Sequence, residues 1–104
     1  MSKLIAERKL FYTEKNSSSR KEFSVGIGEP YLVDPKTVNF DVGQGVFGCQ
    51  IKTIGLDTEP YTAYGADSLQ AANLASNAVD FFLKQLQKKY DFFYQDDGSP
   101  YFSE

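Results

Sequence analysis

Residues 61–90, YTAYGADSLQAANLASNAVDFFLKQLQKKY, contain the change of period that decides the fold. Tyr61 to Tyr64 still suits a short strand, and Gly65 allows a sharp turn out of it. From Asp67 to Tyr90 there is no Gly or Pro, and five of the seven residues from Leu69 to Ala75 are alanine or leucine, both strong helix formers. Asp67 with Gln70 three residues later fits an N-cap and a capping-box variant, in which side chains satisfy backbone donors at the first turn. Ala71, Ala72, Ala75, Ala78, Val79, Phe82, Leu83, Leu86 and Tyr90 fall on one stripe at about 100° per residue. Asn73, Asn77, Asp80, Lys84 and Lys88 lie opposite. The spacing predicts one long helix over about 67–90, its alanine end lying close to a sheet. Leu74 and Phe81, one heptad apart, fall off the stripe's centre, so they meet the C-terminal segment or face a partner.

Upstream the period is two. Leu4 to Thr13 makes a first strand, and Phe23, Val25 and Ile27 alternate with Glu22, Ser24 and Gly26 in a second. The Asn16-Ser17-Ser18-Ser19 turn joins them as a hairpin. Gly28-Glu29-Pro30 and Asp34-Pro35 are bends. Val38, Phe40 and Val42 mark a third strand and Phe47, Cys49 and Ile51 a fourth, paired as a second hairpin across Gly43-Gln44-Gly45. Downstream of the helix, Phe92 to Gln95 suits a last short strand, and Asp97-Gly98 is a turn signal. Strands followed by a helix, segregated along the chain, give an α+β fold. The expected architecture is an antiparallel sheet of four to six strands with the helix packed across one face. The 104 residues form a single domain: strands over about 4–64, the helix, and an aromatic, acidic segment over 91–104.

Composition excludes more than it identifies. With no His, mechanisms that rest on an imidazole are gone, as are His-ligated zinc sites. One Cys excludes a disulfide framework within the chain. A net charge of −3 argues against sequence-independent nucleic-acid binding, which needs surplus Lys and Arg. The first ten residues break their apolar run with charge and no stretch is long enough to span a bilayer. The expectation is a bacterial cytoplasmic protein without a membrane partner.

Chemistry-bearing motifs are weak. Asp57 and Glu59, and Asp96 and Asp97, are paired carboxylates in expected turns, where acids cap backbone N–H groups or face water more often than they catalyse. Asp96-Asp97-Gly98-Ser99 lacks the ligand alternation of a calcium loop. Cys49, between Phe47 and Ile51, reads as a small core residue with no base to activate it. Gly26-Ile27-Gly28 and Gly43-Gln44-Gly45 fall between strands, whereas a phosphate-binding glycine run opens a helix. Gly45-Val46-Phe47-Gly48-Cys49 lacks the basic residue and stacking aromatics of an RNA-recognition strand. No catalytic, cofactor-binding or metal-ligating residue is assigned.

Charge distribution says more. Residues 1–21 hold six basic and two acidic residues, a net +4, and residues 22–104 hold five and twelve, a net −7. No basic residue lies between Lys52 and Lys84, and the last fifteen residues combine six aromatics with four acids. Tyrosine beside carboxylate suits the docking of a basic protein, because the rings anchor and the acids steer. The candidate partner-binding residues are Asp57, Glu59, Tyr61, Asp91, Tyr94, Asp96, Asp97 and Tyr101, with Tyr64 nearby.

Four segments carry a resemblance: Ile5-Ala6-Glu7-Arg8-Lys9-Leu10, Gly26-Ile27-Gly28-Glu29-Pro30-Tyr31, Cys49-Gln50-Ile51 and Ala63-Tyr64-Gly65-Ala66-Asp67-Ser68-Leu69-Gln70-Ala71. Together they resemble a family of small bacterial proteins that carry a domain of unknown function. The likeness covers about residues 4–90 and implies a fold more than a mechanism. In size, charge and want of catalytic groups the chain is similar in kind to contact-dependent-inhibition immunity proteins. Three functions stay open. The first is an immunity protein that occludes the active site of a cationic bacterial toxin, such as a nuclease. The second is a self-associating structural module using Leu74, Phe81 and the aromatic tail. The third is a small-ligand binder or enzyme in a cleft between residues 61–64 and the helix start, with Asp67 as a contact instead of a cap.

Overall fold

The structure, a computed structural model, describes residues 4–34, 36 and 45–102. It is α+β: a six-stranded antiparallel sheet and two short helices. The expected first hairpin forms from β1 (Leu4–Glu14) and β2 (Lys21–Gly28), with Leu10 opposite Phe23 and Arg8 opposite Val25. After the Gly28–Pro30 bend the chain resumes as β3 (Tyr31–Leu32), and β4 (Phe47–Ile54) and β5 (Tyr61–Gly65) follow. Ile51 pairs with Ile27 of β2 and with Tyr61 of β5, while Phe47 pairs with Leu32 of β3 and with Gly65. β2 and β3 therefore share one side of β4 and β5 takes the other. Across the sheet the order runs β5, β4, β2 with β3, β1, and finally β6 (Tyr90–Tyr94), which pairs with β1 from Leu10↔Tyr94 to Glu14↔Tyr90. The expected third strand at Val38–Val42, and the hairpin built on it, lie outside the described residues.

The expected single helix is corrected to two: α1 (Ser68–Asn77) and α2 (Val79–Leu86), divided at Ala78. At Ala78 the backbone N–H is shared among the carbonyls of Leu74, Ala75 and Ser76, a tightening that interrupts the regular ladder. The break falls where the buried side chains change from Ala71 and Ala75 to Phe82 and Leu83, so each half meets the sheet at its own spacing. The helix also stops at Leu86 instead of reaching Tyr90. Tyr90 satisfies both periods, four residues after Leu86 and two before Phe92. Sheet pairing with Glu14 and edge-on ring contact with Tyr12, centroids 5.5 Å apart, decide for the strand.

One buried cluster joins the sheet to the two helices, with Val33 buried outside it. Leu10, Val25, Cys49, Ile51 and Leu83 are fully enclosed, with Phe23, Phe92, Ala71 and Ala75 around them. Burying each Leu, Ile or Phe contributes about 1.5–3 kcal/mol. Cys49 is part of this core: its Sγ donates to the Gly28 carbonyl at 3.3 Å and burial pushes the thiol's pKa up. Gly65 sets the approach of α1, because a Cβ there would lie 2.6 Å from the Ala71 nitrogen.

Candidate functional site

The eight residues expected to bind a partner divide between two places. Five of them, Asp91, Tyr94, Asp96, Asp97 and Tyr101, lie on or beyond β6. There the chain turns at Gly98, whose φ of +73° suits glycine, and returns along β6. Tyr94 donates its backbone N–H to Ser99 and Tyr101 donates to Phe92, with a bridge between Phe93 and Pro100. Residues 98–102 thus form a strap over that edge of the sheet.

The basic hairpin holds both β6 and the strap. Lys15 pairs with Asp91 at 2.7 Å, and Arg20 donates to the Gly98 carbonyl while its guanidinium lies 3.8 Å from the centre of the Phe93 ring. Arg8 donates to the Tyr101 hydroxyl, which donates in turn to Asp80 of α2. Burial, reinforced by the hydrogen bond to Asp80, raises the Tyr101 phenol to about 12. Tyr94 and Phe102 flank the Tyr101 ring with centroids 5.0 Å away, and Lys84 covers Phe102. Asp97 accepts from both the backbone and the hydroxyl of Ser99, which lowers its pKa, and Asp96 accepts from the Asp97 N–H. These five residues have close partners within the chain.

The other three, Asp57, Glu59 and Tyr61, gather at the opposite side of the sheet. The β4–β5 loop is pinned from inside: Leu56 is buried, and the Thr53 hydroxyl bonds the Leu56 carbonyl and the Thr58 hydroxyl. Alternate residues point outward, so Asp57 and Glu59 are exposed, and among the described residues neither forms an ion pair. Tyr61 follows, 44% exposed, and lines one groove with Phe81 of α2, 58% exposed. Between loop and helix runs a groove of about 460 Å³ floored by Phe82, Leu86 and Tyr90, with Lys89 on its far rim. Phe81 is the member that sequence reasoning left undecided; its heptad spacing from Leu74 was the available signal. Neither residue is covered by the strap, which seats instead against Asp80 and Lys84.

A second, more polar cleft of about 410 Å³ lies under the helix break, between Arg8, Asn77 and Asp80 over Val25 and Ile27. Asp67 does cap α1: its carboxylate accepts from the Gln70 N–H at 2.7 Å, while the Gln70 side chain accepts from the Ala66 N–H. Among the described residues no three acidic or thiol groups cluster as metal ligands, and no helix is long and apolar enough to cross a membrane. No family model matches the chain, and comparison with curated proteins and with solved structures returns no match.

Proposed function

We propose that the chain is a non-catalytic protein-binding module. Its best-supported use is that of an immunity protein in the bacterial cytoplasm, neutralising a cationic toxin, such as a nuclease, by occluding its active site. One observation carries this reading: among the described residues Asp57 and Glu59 form no ion pair and line one groove with the exposed rings of Tyr61 and Phe81, whereas Asp91 is paired with Lys15 and the Tyr94 and Tyr101 rings pack against each other. Unpaired carboxylates speed the approach of a basic surface, and half-exposed rings supply the area that a bound partner desolvates. The test is co-expression with the basic product of the adjacent gene. Rescue of growth is expected, with an association rate that falls steeply as salt rises from roughly 0.01 to roughly 0.15 M and the Debye length shrinks from about 30 to about 8 Å. A toxic neighbour that the chain fails to neutralise, or association indifferent to salt, contradicts it.

The exposure of Leu74 and Phe81 on one helical flank favours a second reading, self-association. Sedimentation at micromolar concentration separates the two, since the first reading expects a monomer.

A further inference from the structure

On β6 and the strap the chain sets its own cations over its aromatic rings. The Arg20 guanidinium lies 3.8 Å from the centre of the Phe93 ring and donates to the Gly98 carbonyl at 3.0 Å. Lys84 stands 5.0 Å from the centre of the Phe102 ring, and Arg8 5.8 Å from that of Tyr101. The quadrupole of a ring attracts a cation over its face, most strongly where water is excluded.

The groove between the β4–β5 loop and α2 has rings without that complement. Its lining comes from two segments, residues 57–61 and 81–90. The rings of Tyr61 and Phe81 are exposed, and among the described residues no cation stands over either. Asp57 and Glu59 line the same groove, are exposed, and form no ion pair with a described residue. Lys89 also lines it but lies beyond ion-pair distance of both carboxylates. The groove thus holds two acids against one base, and its rings and its acids both favour a cation.

A cation that satisfies both must offer a flat face to the rings and hydrogen bonds to the carboxylates. The arginine guanidinium does so: it is planar and weakly hydrated, it stacks on aromatic faces, and its N–H donors form a fork that matches a carboxylate. The lysine ammonium is a strongly hydrated point charge. Size agrees, since sites that enclose an organic ligand measure roughly 300–1,000 Å³, and this groove measures about 460 Å³. A free cation leaves half-exposed rings wet, where such contacts are weak, whereas a protein that carries the arginine covers the rim and excludes water.

We infer that the groove between residues 57–61 and 81–90 is a binding site for an arginine side chain of a partner protein, its guanidinium against the rings of Tyr61 and Phe81 and its donors at Asp57 and Glu59. This rests on the reading of the chain as a protein-binding module and names the residue that the module reads. The methylene stem of the arginine lies on the apolar floor of Phe82 and Leu86. Lys89 disfavours a second cation, so one arginine fills the site.

The experiment titrates the isotope-labelled full chain with three capped pentapeptides of glycine and serine that differ only in a central arginine, lysine or citrulline, and with free arginine. The arginine peptide is expected to give saturable amide shifts within Asp57–Tyr61 and at Phe81. It is expected to bind about tenfold more tightly than its uncharged citrulline counterpart and about threefold more tightly than the lysine peptide. Combined Asp57→Asn and Glu59→Gln substitutions lower its affinity about tenfold, and Phe81→Ala about fivefold. Glu29→Gln, at an exposed acid outside the lining, leaves it unchanged. An unchanged melting temperature in each variant separates these losses from misfolding. Shifts confined to the strap or the open sheet face, equal response to arginine and citrulline, lysine binding as tightly as arginine, or no response overturns the inference. So does free arginine binding more tightly than the peptide, since the occupant is then a free amino acid. If the arginine peptide fails at the groove while co-expression still rescues growth, the arginine site falls and the immunity reading stands; the reverse pattern removes the immunity reading alone.

Discussion

The edges at β5 and β6 are made of similar residues and end in different states. Both strands are five residues long and rich in tyrosine or phenylalanine, and both have carboxylates close by. At β6 the chain turns at Gly98 and lies back along the strand; Arg8 and Arg20 of the first hairpin hold it there, and Lys15 pairs with Asp91 of β6 itself. At β5 the neighbouring loop turns its acids outward and the strand's outer side has no described partner. The difference teaches that an acidic, aromatic composition is not by itself a docking surface. What matters is whether the same chain already supplies the cations and the hydrogen bonds.

The comparison breaks most readily at the strap. Truncation before Gly98 removes the half-buried rings of Tyr101 and Phe102 and uncovers β6; a loss of about 3 kcal/mol is expected from denaturant unfolding, with new concentration-dependent association. Truncation that leaves stability and the monomer unchanged would mean that β6 needs no cover. At the other edge, Gly65→Val drives a side chain into the Ala71 backbone and is expected to cost about 2 kcal/mol, loosening β5 from α1. If its melting temperature matches the parent, the edge is not held by that contact.

A smaller effect sharpens the account of the clasp. Tyr101→Phe keeps the ring and removes the hydroxyl between Arg8 and Asp80, an expected loss of about 1 kcal/mol. The phenol's pKa is raised in the folded state to about 12 from an ordinary value of 10.0. Its protonated form is therefore favoured by folding, and the contribution is complete below pH 10 and declines as pH rises from 10 to about 12. Spectroscopic titration should show Tyr101 as a late-ionising tyrosine, absent from Tyr101→Phe. Ionisation of every tyrosine near the ordinary value contradicts the clasp.

Much of the fold was legible in the sequence, for reasons that can be named. Phe23, Val25 and Ile27 alternate cleanly because one face of β2 is buried, and Asp67 with Gln70 marks the start of α1 because capping is local. The break at Ala78 was not legible, since alanine is the best helix former and only the change in packing depth interrupts the ladder. Tyr90 was ambiguous because it fits both periods. Of the candidate site, composition marks Asp57, Glu59 and Tyr61, while the heptad spacing of Phe81 from Leu74 leaves its role open, and nothing local indicates that Phe81 lines the same groove as Tyr61. The charge division between residues 1–21 and the remainder is visible in the sequence and suggests an outward-facing surface. In the structure Arg8, Lys15 and Arg20 turn much of it inward, onto the strap and β6. Pairing between segments more than seventy positions apart leaves no trace in local pattern.

Backbone hydrogen exchange on the free protein tests the difference between the edges most directly. The structure predicts protection at Tyr94, Gly98 and Tyr101, whose N–H groups are bonded within the turn and strap, and rapid exchange at alternate residues of Tyr61–Gly65. Protection at every amide of β5, or rapid exchange at those three strap and turn positions, would contradict a sheet whose β6 edge is met by the strap and whose β5 edge is met by β4 alone among the described residues.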